Sequence, residues 1–163
     1  MLFKIKILSL WKNNIFEVKL DLVIFSDNKI PEISKPVEKF DNDLLKIVKA
    51  MFDAIHKYNG IGLASIQIGV LRRIVIAEIN GEKVVAVNPE IIFLSKEMDE
   101  IEESNLSLSN VKVNVSRPTK IKIKYQNLSG KFKELEAEGL MARCLQHEIE
   151  QLDGKNILDH MRN

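Results

Sequence analysis

"GLMARCLQHEIEQLDG", residues 139–154, is the stretch that decides how this chain is read. Leu140, Cys144, Leu145, Ile149 and Leu152 recur at the spacing of one helical face, and Gly154 supplies a stop, so the stretch reads as a C-terminal helix. On it His147 is followed by Glu148. Residues four apart share a helix face, so a histidine at position 151 would complete a pair able to grip one metal ion, with the glutamate moving protons for a bound water. Gln151 stands there instead. Taken alone, the stretch is half of a metal-binding pattern, and a His-Glu pair occurs by chance in many helices.

The chain preceding this helix is rich in strands. Its first 25 residues alternate apolar and polar in "FKIKILSL" and "FEVKLDLVIF", a pattern of edge or hairpin strands. Pro31 and Pro36 then force an extended or turning segment. In "FDNDLLKIVKAMFDAIHKYNG", Leu44, Leu45, Ile47, Val48, Met51, Phe52 and Ile55 have helical spacing, with Asp41 or Asn42 to cap the start and Asn59-Gly60 to stop it. "RRIVIAEINGEKVVAVNPEII" predicts a hairpin turning at Asn80-Gly81, Ser95 to Asn110 reads as polar and irregular, and "VKVNVSRPTKIKIKYQNLSGKFKELEAE" predicts antiparallel strands turning near Ser129-Gly130. Helix, antiparallel strands, helix is an α+β order.

Composition narrows the function classes. At 163 residues the chain is expected to form a single domain, residues 1–163. Apolar residues make up 45%, charged residues 29% and the net charge is +1, which supplies no general attraction to nucleic acid or an anionic membrane. Cys144 is the only cysteine, which excludes an intrachain disulfide and a multi-cysteine zinc site, and a cytoplasmic location is expected. Lys4, Lys6 and Lys12 interrupt the opening apolar residues, so no signal peptide is expected, and no 18-residue apolar run predicts a membrane span.

Two further motifs change the weight of the helix. "GIGLASIQ" (Gly60 to Gln67), "ESNLS" (Glu103 to Ser107) and "QHEIEQ" (Gln146 to Gln151) stand in the order, and at approximately the spacing, of the three motifs of the peptide deformylases, Gly-x-Gly-Leu-Ala-Ala-x-Gln, Glu-Gly-Cys-Leu-Ser and Gln-His-Glu-x-Asp-His. The sequence resembles that family over roughly residues 20 to 160, and "VNPEI" and "VSRP" fit its texture. The resemblance implies antiparallel β-sheets packed around a central C-terminal helix carrying the His-Glu pair, an N-terminal helix and a peptide-binding cleft. It also implies a reaction, removal of the formyl group from the N-terminal methionine of nascent polypeptides, with Fe(II) or Zn held by one Cys and two His. By resemblance His147 is the first histidine ligand and Glu148 the general acid/base. Gln67 and the backbone N–H of Leu106 are the donors that polarise the formyl oxygen. Ile61 and Gly62 form the rim that pairs with substrate backbone, Leu140, Arg143 and Cys144 line the substrate pocket, and Arg117 matches an arginine common in the family.

The pattern then fails at two ligand positions. Asn105 stands where the family has its cysteine, Gln151 where it has its second histidine, and Ser104 replaces a glycine. Neutral amide oxygens are poor donors for zinc or ferrous iron, so the cofactor expected is none, or one weakly bound. Cys144 is read as a packed thiol in preference to a replacement ligand, and Glu150, beside the ligand position, as facing elsewhere. Arg143 is read as a stem lining the pocket with its guanidinium in solvent or on a carboxylate, the sharper alternative being an anion site. His160 lacks motif support and is expected to be exposed. The functional expectation is a deformylase-like protein with lost or strongly reduced metal-dependent activity and a retained peptide cleft. Two alternatives stay open: an active deformylase or related hydrolase with an atypical metal site, and an interaction protein with a closed cleft. The expected partner is a peptide N-terminus or nascent chain, with ribosome association a further expectation and neither nucleic acid nor membrane among the partners.

Overall fold

The computed structural model describes residues 20–24 and 32–162. Its elements run α1 (Asn42–Tyr58), β1 (Gly62–Ala64), a 3-10 turn (Ser65–Ile68), β2 (Ile74–Ile79), β3 (Glu82–Leu94), β4 (Met98–Asn105), β5 (Leu108–Pro118), β6 (Lys120–Gln126), β7 (Phe132–Glu138), α2 (Gly139–Leu152) and a second 3-10 turn (Ile157–Arg162). The strands expected in the first 25 residues fall almost wholly outside the described residues, and residues 20–24 belong to no strand.

Local chemistry sets the boundaries. Asp41 caps α1, its side chain accepting from the backbone N–H groups of Asp43 and Leu44, and Asn59 ends the helix in the left-handed conformation. Asn80 and Gly81 join β2 to β3 with φ of 51° and 83°, the left-handed pair whose twist suits a two-residue hairpin.

The antiparallel sheet β1-β2-β3-β6-β7 separates two helices. Strand β2 is buried on both faces. Val75 and Ala77 pack with Ala86, Ile121, Ile123 and the α2 residues Ala142, Leu145, Ile149 and Leu152. Ile74 and Ile76 pack with Leu63, Val87 and the α1 residues Leu44, Val48, Met51 and Ile55. The fold is α+β with α2 at its centre, as the family resemblance implies.

One expectation is corrected. The polar segment from Ser95 to Asn110, read as irregular, contains β4, which pairs antiparallel with β5 as a separate two-stranded sheet. "MDEIEESN" hides its strand because only Glu103 and Asn105 are buried along it, so apolar alternation is missing. Cross-strand pairing with β5 holds it, helped by the Lys112–Glu102 ion pair at 2.8 Å.

Strand β1 meets α2 at Gly62, where a Cβ would lie 2.4 Å from Cys144 Sγ, 3.2 Å from the Ile76 carbonyl and 3.3 Å from Glu148 Cγ. Gly62→Ala is therefore expected to lower stability by about 1–3 kcal/mol in urea unfolding, and adding Cys144→Ala to recover part of that loss. A Gly62→Ala protein as stable as the parent would show that the close approach is wrong.

Candidate active site

Eleven of the fourteen residues of α2 are buried, and five of them, Arg143, Gln146, His147, Glu148 and Gln151, are polar or charged. Inside a protein each needs a partner. Gln146 Nε2 donates to the carbonyls of Pro118 and Ala142, both at 3.0 Å. The others define the site.

Glu103 on β4 is its electrostatic hub. One oxygen accepts from Arg117 Nε at 2.6 Å and from Arg143 Nη1 at 2.6 Å; the other lies 2.9 Å from His147 Nδ1 and 3.0 Å from Arg117 Nη2. Arg117 extends the chain to Glu150 at 2.9 and 3.0 Å, and Glu150 reaches His160 Nε2 at 3.0 Å. Arg143 also binds Asp99, its side chain at 2.5 Å and its carbonyl at 3.0 Å. Burial works against a charge on Glu103, but its hydrogen bonds with His147 and Arg117 prevail and hold the carboxyl at about 2. A carboxylate that acidic only accepts, so His147 donates from Nδ1 and turns Nε2 toward Asn105. Burial likewise opposes a charge on His147, while Glu148 and Glu103 raise its pKa above the ordinary value.

Around His147 Nε2 lies a ring of amides whose orientation two backbone groups dictate. The Ser107 N–H can only donate, and it donates to Asn105 Oδ1 at 2.8 Å. Asn105 Nδ2 must then face outward, donating to Gln151 Oε1 at 3.0 Å and lying 3.5 Å from His147 Nε2. Likewise the Ala64 N–H fixes Gln67 Oε1 at 2.9 Å, which aims Gln67 Nε2 at Asn105 Oδ1, 3.2 Å away. Gln151 closes the ring, with Nε2 donating to Gln67 Oε1 at 3.2 Å and to Glu148 Oε2 at 2.5 Å. Each amide has a donor facing an acceptor throughout.

Beside the ring is a cavity of about 280 Å³. It is lined by Gly60, Ile61 and Gly62, by Ile101 to Leu106, and by Leu140, Arg143, Cys144, His147 and Glu148 of α2. The structure thus brings together every site residue expected from the sequence. Cys144 is buried, its thiol directed at the Ile61 carbonyl and pushed well above the usual thiol range by burial and the nearby Glu148 and Glu103. Burial also raises the Glu148 carboxyl, to about 7.

Several details correct or complete the sequence reading. Arg143 offers no anion site, because its guanidinium is engaged by Glu103, Asp99 and the Val115 carbonyl. His160 is half-buried against Glu150 and not free in solvent. Glu103 is the residue that sequence reasoning misses, because the motif resemblance attaches no role to it. Its position two residues before Asn105 on one strand puts both on the same buried face.

The iron or zinc implied by the motifs can be tested against these donors. Among the described residues no three His, Cys, Asp or Glu side chains converge as a metal cluster. Asn105 Oδ1 accepts from Ser107 N and Gln67 Nε2, Gln151 Oε1 accepts from Asn105 Nδ2, and His147 is a lone imidazole. This donor set does not fit a transition metal that selects thiolate and imidazole.

Comparison with known proteins gives the family of this α+β fold, in which a buried His-Glu helix lines a cavity between strands. The sequence model of the Polypeptide deformylase family matches residues 19–163. The peptide deformylase of Bartonella tribocorum (strain CIP 105476 / IBS 506) is 40% identical over 147 residues, covering 86% of this chain and 83% of that protein. The crystal structure of peptide deformylase from Thermotoga maritima superposes with a TM-score of 0.81 at 37% identity, over 85% of this chain and 95% of that one. A Met-Ala-Ser-bound class I type b peptide deformylase from Acinetobacter baumannii gives a TM-score of 0.81 at 29% identity, over 89% and 99% of the two chains. The chain belongs to the peptide deformylase family, a family of metalloenzymes.

Two outcomes test the site. Glu103 has a depressed folded pKa, so its contribution to stability is complete above the ordinary value of 4.5 and disappears as pH falls toward 2. The thermal midpoint is expected to drop across that window, and Glu103→Gln to start lower and show a shallower acid limb. Gln151→Ala leaves Asn105 Nδ2 without its partner and is expected to cost about 1–3 kcal/mol by urea unfolding. An unchanged midpoint would mean that the ring carries no stability.

Proposed function

We propose that this chain uses the family's cleft to bind polypeptide N-termini, and that its metal-dependent hydrolysis of formyl-methionyl peptides is lost or strongly reduced. The closed amide ring carries the reading, because it engages Asn105 and Gln151, which match two of the family's three ligand positions, in mutual hydrogen bonds. Gln67, matched to the donor for the formyl oxygen, has Nε2 directed at Asn105 Oδ1 and Ser107 Oγ. Leu106 lies at the β4–β5 turn against the cavity, at the place matched to the second donor. What supports a retained cleft is its construction. Strand β1 is the outer strand of its sheet and β4 of a two-stranded one, so Ile61 and Gly62 face the cavity from a strand edge, the kind of edge that extended peptides add to. Leu140, Arg143 and Cys144 lie beneath it. On this reading the partner is a nascent or finished chain end met in the compartment of translation, with ribosome contact as one route to it. No helix among the described residues is long and apolar enough to cross a membrane.

The test is metal analysis of protein made in iron- or zinc-supplemented medium, with formate release from a formyl-Met peptide. Wild type is expected to hold far less than one metal per chain and to release little formate. Asn105→Cys with Gln151→His, which restores the family's ligands, is expected to gain both. One tightly held metal and turnover in the wild type would overturn the proposal.

A second reading has its own support. Glu148 survives beside His147, and its carboxyl at about 7 suits a general acid/base near neutral pH. On that reading the chain is an active deformylase or related hydrolase with an atypical site. Formate release that disappears in Glu148→Ala would establish it.

A further inference from the structure

The five-stranded sheet has an outer face, opposite α2, that α1 covers only in part. Helix α1 packs there on Leu63, Ile74, Ile76 and Val87, so the end of β3 and the strands β6 and β7 lie beyond its reach. On those two strands Ile121, Ile123, Leu135 and Ala137 face α2, and alternation turns the residues between them outward. The outward residues form two rows of opposite charge. The strand register sets Lys120 opposite Glu138, Lys122 opposite Glu136 and Lys124 opposite Glu134. Lys120 pairs with Glu138 at 3.3 Å, and Lys122 with Glu134 at 2.9 Å and Glu136 at 3.6 Å, yet the Glu136 and Glu138 side chains remain 81% and 70% exposed. Two aromatic rings share the face. Phe93 stands opposite Lys122 on β3, and Phe132 begins β7 with the Lys124 ammonium 4.9 Å from its ring centre; they are 56% and 66% exposed.

Exposed rings cost free energy that contact with another surface recovers, and the charge pattern indicates which surface. A uniformly basic or acidic partner meets repulsion from one of the rows. The outer edge of β7 does not suit a second β7, because antiparallel pairing there sets the glutamate row against itself. A second copy laid face to face does match. A twofold axis running along the strands between the two sheets places β6 of each copy over β7 of the other. Lys120, Lys122 and Lys124 then lie over the partner's Glu138, the partner's Glu136 and the partner's Glu134. Each ion pair within a chain becomes part of a square of alternating charges, and networks of this kind hold better than isolated surface pairs. Phe132 comes to lie over the partner's Lys124, and Phe93 flanks the outer edge of the other copy's β7.

We propose that the chain forms a homodimer through this face, with the lysine row of each copy on the glutamate row of the other. The inference is independent of the peptide-cleft reading, whose cavity is lined from α2, β1 and β4. Strands β6 and β7 offer seven residues each, a patch small beside the roughly 800 Å² per partner of a standard interface, so association in the micromolar range or weaker is expected.

Sedimentation equilibrium of the full chain over a concentration series, at low and at high salt, tests it. The wild type is expected to dimerise, with a dissociation constant that rises about 10-fold or more from low to high salt as the charges are screened. Two variants separate the rows. The acidic one carries Lys120→Glu, Lys122→Glu and Lys124→Glu, and the basic one carries Glu134→Lys, Glu136→Lys and Glu138→Lys. Each alone is expected to stay monomeric, and an equimolar mixture to form a heterodimer. A wild type that stays monomeric up to millimolar concentration at low salt would overturn the proposal and return the face to solvent. A dimer indifferent to salt, or one that persists in the acidic variant, would place the contact elsewhere and overturn it too. The wild-type series decides the matter even if a variant fails to fold.

Discussion

Helix α2 is buried around most of its circumference, yet its sequence places an arginine, two glutamines, a histidine and a glutamate there. That conflict organises the molecule. The polar residues cannot reach water, so the surrounding elements have to supply complementary groups in fixed positions. Strand β4 supplies Glu103 and Asn105, β5 supplies Arg117, and the 3-10 turn after β1 supplies Gln67. The small sheet, whose β5 residues Leu108, Val113 and Val115 pack with Ile157, is thereby also fastened to α2 through charges and amides.

Two kinds of polar partnership meet on this helix. Toward β5 the interactions are ionic: Glu103 joins two arginines and a histidine, and one of these arginines continues to Glu150. Toward β1 they are neutral: Gln67, Asn105 and Gln151 bond to one another and to the N–H groups of Ala64 and Ser107. His147 sits at the boundary, with Nδ1 on the ionic side and Nε2 on the neutral one. The amides on the neutral side converge on each other. Glu148 lies just beyond the ring, bonded to it through Gln151 and open to the cavity.

Much of this was legible in the sequence, and the rest was not for physical reasons. Helices α1 and α2 announced themselves by apolar spacing, and the two turns by Asn80, Gly81 and Gly130, residues that tolerate left-handed backbone. The three motifs located the site. Strand β4 stayed hidden because acidic side chains pointing to water leave no period-two apolar signal. The hub at Glu103 was equally hidden, since a pattern of single residues does not tell which carboxylate meets which arginine. Arg143 shows the difference: its place on the helix face was readable, but its partners Glu103 and Asp99 come from a strand 40 and 44 positions away. The closure of the amide ring likewise depends on the direction of two backbone N–H groups, which only the folded chain reveals.

Gln67, Asn105 and Gln151 are bonded to one another beside His147 Nε2, so their side-chain oxygens are already engaged. Nuclear magnetic resonance of the side-chain nitrogens shows whether that ring yields to a metal. On addition of one equivalent of Zn²⁺ to the wild-type chain, the side-chain amide signals of Gln67, Asn105 and Gln151 and the ring nitrogens of His147 are expected to stay where they are. Saturating displacement of the His147 Nε2 signal together with the Asn105 and Gln151 amides would show that the ring opens to hold the metal.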